Sequence, residues 1–105
     1  MSASQGPYCA LCGRQERLTR HHLIPRARHG KRRVRRRVDR ETLKQAVILV
    51  CRPCHDQIHR VLDEHTLEQD YNTAEALLAH PEIRRFAEWI ARRPAGFRPK
   101  RPHRG

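Results

Sequence analysis

Cysteine and histidine spacing carries the chemistry of this chain. Cys9 and Cys12 form a C-x-x-C pair, His21 and His22 follow as a doublet, and the run Cys51-Arg52-Pro53-Cys54-His55-Asp56-Gln57-Ile58-His59 joins a second C-x-x-C pair to two more histidines. Each C-x-x-C places two thiolates on one tight turn. Brought together, the two pairs can close a tetrahedral Zn²⁺ site of structural type. The bland alternative is four buried free cysteines that pack as small hydrophobes. Two identical pairs argue against it, and the absence of a secretory pattern argues against disulfides. Zinc in a reducing compartment is the expectation.

The histidines point to a second ion. His55 and His59 are four apart on a predicted helix and project from one face. His21 and His22 sit on a predicted strand, where neighbours point to opposite faces. Both serve one site if the strand bends or ends there, as Pro25 would allow. Any one of the eight histidines, taken singly, reads as a surface residue. Joined to the four-cysteine clamp, the helical pair and the doublet read instead as an open metal site. A neutral imidazole with a pKa near 6.5 both ligates divalent ions and accepts a proton near neutrality. The ion would be Mg²⁺, Mn²⁺, Ni²⁺ or Zn²⁺, acting on developing negative charge.

These residues must be positioned by a small fold. The chain has 105 residues, 37% hydrophobic and 5% aromatic, which gives one domain with a thin core. A bound metal is a usual remedy at this size. Structural zinc contributes roughly 10–16 kcal/mol of apparent binding energy in finger-sized peptides. Residues 1–7 read as a flexible N-terminus, 8–93 as the domain and 94–105 as a disordered basic tail. Tyr8 to Arg17 reads as a zinc knuckle, with Gly13 relieving its turn. Leu18 to Ile24 reads as a strand stopped by Pro25. Ala46 to Val50 is the most β-prone run and leads into Cys51. A helix starts near Pro53, with Cys54, Ile58, Val61 and Leu62 on its apolar stripe. Residues 66–93 read as C-terminal helices. Thr66 to Gln69 fits a capping box, Thr73 caps the next helix, and Pro81 opens the last, where Ile83, Phe86, Ala87 and Ile90 recur. That stripe reads as core, and Trp89 falls off it.

The order C-x-x-C, His-His-Leu-Ile-Pro, apolar strand, C-x-x-C-H-x-x-x-H resembles the HNH endonuclease family, in its zinc-bearing branch with two C-x-x-C pairs. Tyr71 to Pro81 is also similar to the C-terminal region of a group of short HNH proteins. The resemblance implies an α+β fold: a zinc-stabilised ββα-metal core with additional C-terminal helices. It implies that His21 is a ligand of the catalytic ion, that His22 is the general base, that His59 is a ligand, and that His55 is a second ligand or a phosphate contact. The implied activity is metal-dependent hydrolysis of DNA to 5′-phosphate and 3′-hydroxyl ends. One position departs. The family usually has an asparagine five residues before the third cysteine, where it fixes the base and braces the hairpin loop. Here that position is Ala46. Gln45 beside it, or a backbone carbonyl, would have to orient His22, or catalysis is weak or absent.

Charge completes the picture. The formal net charge is +12. Such a field attracts nucleic acid or an anionic membrane surface, and no stretch is long and apolar enough to span a bilayer. Arg26, Arg28, Lys31, Arg32, Arg33, Arg35, Arg36 and Arg37 crowd a basic loop at 26–40. Such a block repels itself and reads as extended, disordered before binding and ordered after. Opposite a duplex each cation displaces a counterion, with little sequence information. Three functions compete: a DNA endonuclease of low intrinsic specificity, a non-catalytic zinc module that only binds nucleic acid, and a zinc-stabilised domain whose basic loop meets an acidic protein. The paired cysteines without a secretory signal predict a cytoplasmic protein, and the resemblance, with the basic loop, implies double-stranded DNA as its partner.

Overall fold

The computed structural model describes residues 8–99. The expectations for residues 1–7 and for the end of the tail, 100–105, lie outside the described residues. In chain order the elements are β1 (Leu18–His22), a 3-10 turn (Arg26–Arg28), α1 (Arg32–Arg37), α2 (Arg40–Gln45), β2 (Val47–Cys51), α3 (Arg52–Val61), α4 (Glu64–Asp70), α5 (Ala74–Ala79) and α6 (Pro81–Ile90). This is the α+β class expected, with a two-stranded sheet and helices around it.

The strands pair antiparallel, Leu18 opposite Cys51 and His22 opposite Val47. β-Branched and aliphatic residues fit a pleated, half-buried surface, which is why 47–50 forms a strand. Period-two alternation puts Thr19 and His21 on the inner face and Arg20 and His22 on the other. β2 runs directly into α3, whose N-cap is Cys51 and whose second position is Pro53. Proline is tolerated there because that N–H would lack a partner anyway. The apolar stripe of α3 buries Cys54 and Ile58 against the hairpin and α6. Val50, Leu67, Leu77, Ile83 and Ile90 complete the main core, each at most 1% exposed. Trp89 sits off the stripe as the periodicity predicts, with the Arg93 guanidinium 4.7 Å above its ring.

The helix starts agree with the predicted caps at two of three places. Thr73 accepts from the Ala76 N–H at 3.0 Å, and Pro81 opens α6. The capping box at Thr66 is displaced. Asp63 is the cap, accepting from the Thr66 N–H at 2.8 Å. A carboxylate three residues earlier offers a stronger acceptor than the threonine hydroxyl, so α4 starts one turn sooner.

Two segments differ more from expectation. The basic run at 26–40 is folded, not extended. Val34, with no exposed surface, packs with Ile24 and Leu43 in a second small core, and Val38 lies against it. Glu68 on α4 removes the charge obstacle. Its side chain is fully buried, one oxygen pairs with Arg28 at 3.1 Å and Arg33 at 3.2 Å, and the other with Arg37 at 2.9 Å. One central anion thus holds three cations that would otherwise repel. The tail is also ordered over 94–99. The Pro94 carbonyl accepts from Arg14 at 2.6 Å, the Gly96 N–H donates to Glu16 at 2.6 Å, and Phe97 packs against the core. Arg14 and Glu16 are themselves a buried pair at 3.2 Å.

Burial by itself would raise the Glu68 carboxyl, but the hydrogen bonds from Arg28 and Arg33 outweigh it and hold it below its usual 4.5. The carboxylate's contribution is therefore fully present above 4.5 and is lost as pH falls through the lower folded value. Removing one partner of a buried pair costs about 3–5 kcal/mol where both charges are buried. Two of the arginines are half exposed and can return to water, so Glu68→Gln is expected to cost about 1–3 kcal/mol. Urea denaturation of the zinc-loaded protein at pH 7 checks this. An unchanged midpoint would mean that the arginine cluster is held by something else.

Candidate metal centre and histidine site

The four sulfurs converge from two places. The first pair rides on the knuckle at 9–15, closed by the Gly13 N–H on the Cys9 carbonyl at 3.0 Å and by a Tyr8–Gln15 bridge. Gly13 has φ +83°, a left-handed conformation that suits glycine. The second pair straddles the β2–α3 junction. Register places Cys51 opposite Leu18, a few residues after the knuckle, so the hairpin itself joins the pairs. All four Sγ atoms lie within 4.8 Å of one another, and Cys12 and Cys51 are 3.8 Å apart. A tetrahedron with Zn–S near 2.3 Å has edges of about 3.8 Å. Backbone N–H groups of Leu11 and Cys12 donate to Cys9 at 3.4 Å. Hydrogen bonds from Cys51 and Cys54 push the Cys9 thiol far down, while those with Cys51 and Cys9, together with burial, drive Cys54 far up. Burial raises Cys12 to about 11. Thiols this close compete for protons, and a dication would hold all four as thiolates. Arg14, absent from the sequence-predicted set, donates to the Cys51 sulfur at 3.6 Å and offsets the negative charge of a four-thiolate site.

The histidines gather as three plus one. His21, on the inner face of β1, lies between His55 and His59 of α3, with ring centroids 5.3 Å from each, and the two helical rings are 5.0 Å apart. Ligand nitrogens of the three lie within 4.8 Å of one another. His21 is 1% exposed, and both of its ring nitrogens lack a hydrogen-bond partner. A buried imidazole with no partner is costly, and an ion at that point would satisfy it. The donor set fits a divalent metal of imidazole type. Burial lowers His21 to about 4, with the neighbouring His55 and His59 acting in the same direction. Burial, then His59 and Arg52, lowers His55 to about 4. Burial also lowers His59, against the pull of Glu64. The triad is therefore neutral, and ligand-ready, at pH 7.

His22 stays outside the triad. β1 ends at His22, whose ring stands 6.0 Å from that of His29 and outside the triad, yet near enough to act electrostatically on His21 and His55. Burial, then His29, Arg26 and Arg20, lowers its pKa. The His29 Nε2–H donates to the Ile24 carbonyl at 2.7 Å. His22 makes no hydrogen bond among the described residues. Gln45 is exposed as the last residue of α2. Ala46 contributes its backbone instead: its carbonyl accepts from the Leu23 N–H at 2.8 Å and closes the hairpin one step beyond β1.

The eight basic residues singled out from sequence divide into two groups. Arg28, Arg33 and Arg37 are paired with Glu68. Arg26, Lys31, Arg32, Arg35 and Arg36 are exposed and make no ion pair among the described residues. On α1, positions 33 and 37 share one face and 32, 35 and 36 the other. Glu68 gave little warning in the sequence, since an acidic residue in a short helix reads as surface.

The HNH endonuclease family model matches residues 9–60. The chain belongs to the HNH endonuclease family, with a mixed helix and two-strand architecture and a four-cysteine cluster consistent with its zinc-bearing branch. Over 87 residues it is 36% identical to the uncharacterized protein YisB of Bacillus subtilis (strain 168), covering 82% of this chain and 75% of that protein. No solved structure matches. No helix among the described residues is long and apolar enough to cross a membrane.

The lowered histidine values set a pH test. Three ligands with ordinary pKa values near 6.5 would each lose roughly fourfold in neutral fraction between pH 7.5 and 6. With His21 and His55 near 4, their share of that loss is absent until pH falls much further, and the lowered His59 loses less than an ordinary imidazole. Isothermal titration of Ni²⁺ into the zinc-loaded protein is expected to show far less loss of affinity between pH 7.5 and 6 than the product of three fourfold losses. A large drop, approaching the product of three fourfold losses, would contradict it.

Proposed function

We propose that this protein is a metal-dependent endonuclease that hydrolyses DNA phosphodiester bonds with little intrinsic sequence preference. The observation that carries the reading is the buried His21 imidazole, unpartnered at both nitrogens between His55 and His59. His21, His55 and His59 would hold the divalent ion, and Cys9, Cys12, Cys51 and Cys54 a structural Zn²⁺. The bound ion would supply Lewis-acid stabilisation of the phosphate and of the leaving oxygen.

The chain's own residues do the rest. His22 is the general base: β1 ends at this residue, and its ring is near enough to the triad to act electrostatically on both His21 and His55. Its lowered pKa keeps it neutral at pH 7, able to take a proton from the attacking water. The water oxygen bonds to phosphorus, the bond from phosphorus to the 3′-oxygen breaks, and that oxygen leaves as a hydroxyl after protonation. The products are a 5′-phosphate and a 3′-hydroxyl. Arg26, Lys31, Arg32, Arg35 and Arg36 contact the phosphates of a double-stranded substrate, while Arg28, Arg33 and Arg37 hold the platform through Glu68. Contacts of this kind position a duplex without reading its sequence.

The competing reading is a nucleic-acid-binding module with a silent site. Ala46 in place of the usual asparagine and a His22 without a hydrogen bond favour it. The assay that separates the two is nicking of supercoiled plasmid with Mg²⁺, Mn²⁺ or Ni²⁺, beside His22→Ala. Cleavage is expected from the parent and at least about 100-fold less from the variant, the usual scale of general-base catalysis. Parent and variant equally inactive, with gel shifts retained, would leave only the binding module.

The division of the arginines makes a second expectation. Arg35→Ala with Arg36→Ala should lower the slope of log affinity against log salt by about 2, since each lost phosphate contact removes about 0.9. Thermal stability should stay unchanged, because neither side chain is part of the Glu68 cluster. An unchanged slope in a fluorescence-anisotropy titration would place the duplex elsewhere.

A further inference from the structure

Thr19 stands beside the histidine triad and belongs to none of the motifs. Its hydroxyl oxygen lies 2.9 Å from the Val50 carbonyl oxygen and 2.7 Å from Nδ1 of His55. A hydroxyl has one hydrogen, and a carbonyl oxygen can only accept. The Thr19 hydrogen therefore goes to Val50. The contact to His55 must then run the other way, with Nδ1–H donating to the threonine oxygen. Proton counting at one hydroxyl thus fixes the tautomer of a ring on another element.

The consequence falls on the ion. A neutral imidazole protonated at Nδ1 has its lone pair at Nε2, the nitrogen left to join His21 and His59. Thr19 and His21 are two apart on β1 and share its inner face. One strand face thus supplies one triad histidine and orients another. Val50 is the cross-strand partner of Thr19, so the hydroxyl is anchored by sheet register. We propose that Thr19 is a positioning residue of the histidine site, holding His55 as the Nδ1–H tautomer with Nε2 aimed at the divalent ion. This rests on the triad being the metal site of the proposed function.

The test uses tag-free, zinc-loaded full-length protein with Thr19→Val and Thr19→Ser. Valine keeps the shape and removes the hydroxyl, and serine restores it. Long-range proton–nitrogen NMR of ¹⁵N-histidine protein at pH 7.5 is expected to show His55 as the Nδ1–H form in the parent and in Thr19→Ser. Thr19→Val should shift it towards Nε2–H. Ni²⁺ titration should show affinity weakened by roughly 10–100-fold in Thr19→Val, the range for lost partners of metal-bound histidines, and largely recovered in Thr19→Ser. One tightly held zinc per chain in every variant would show that the fold survives. A parent His55 in the Nε2–H form, or a Thr19→Val protein that keeps the Nδ1–H form or binds Ni²⁺ as tightly as the parent, would overturn the assignment. If the parent binds no Ni²⁺ at the triad, the metal reading of the histidines fails, while the tautomer measurement still decides what Thr19 does.

Discussion

The convergence of four sulfurs at the β2–α3 junction is the constraint on which the rest of the structure depends. Cys51 ends the strand and Cys54 lies in the first turn of the helix. The same two residues meet Cys9 and Cys12 from the knuckle before β1. An ion held there fixes the translation of α3 along the hairpin. His55 and His59 follow Cys54 by one and five residues, so pinning the helix start also pins their height against His21. A thin core could not set that height alone, because apolar contacts tolerate small shifts that a coordination site does not. Arg14 extends the constraint outward, from the Cys51 sulfur to the Pro94 carbonyl. The end of the described chain is thereby tied to the cysteine cluster.

Much of this was legible in the residues. The C-x-x-C pairs, the i, i+4 histidines and the β-prone run at 46–50 each carry a local signal, and each element formed where its signal placed it. The strand doublet was legible in a stricter sense. Alternation alone assigns His21 and His22 to opposite faces, and the structure puts His21, not His22, in the triad. What stayed hidden depends on long-range pairing. The run at 26–40 reads as self-repelling because its anion, Glu68, lies far along the chain on α4. Val34 and Leu43 make only a faint apolar signal among the arginines. Thr19 was hidden for a similar reason. A threonine in a strand is ordinary until the register sets Val50 opposite it and α3 brings His55 to its oxygen.

The arginine cluster also changes what the charge means. Eight cations crowded together suggest one uniform surface for a polyanion. Glu68 divides them by helix face, so the cations that build the platform differ from those that remain free above it. The built ones carry structural weight and the free ones carry the field. Under the proposed function, a folded surface of this kind would have less entropy to lose than an extended loop on meeting a duplex. The second core under it, Ile24, Val34 and Leu43, joins that platform to the end of β1 beside His22.

Under the proposed function, the separation of the doublet would let one short strand serve two chemical roles. Of the proposed ligands, His21 is the buried one. A general base needs access to water and room to exchange its proton, and His22 is only half buried beside the polar His29. Were both rings on one face, the ion would compete for the base's lone pair. Sheet alternation keeps the two apart over a single residue. The Leu23–Ala46 backbone bond then holds the strand end that carries the proposed base. With Ala46 at that position, main-chain pairing and the small core beneath the arginines are what brace the hairpin next to His22.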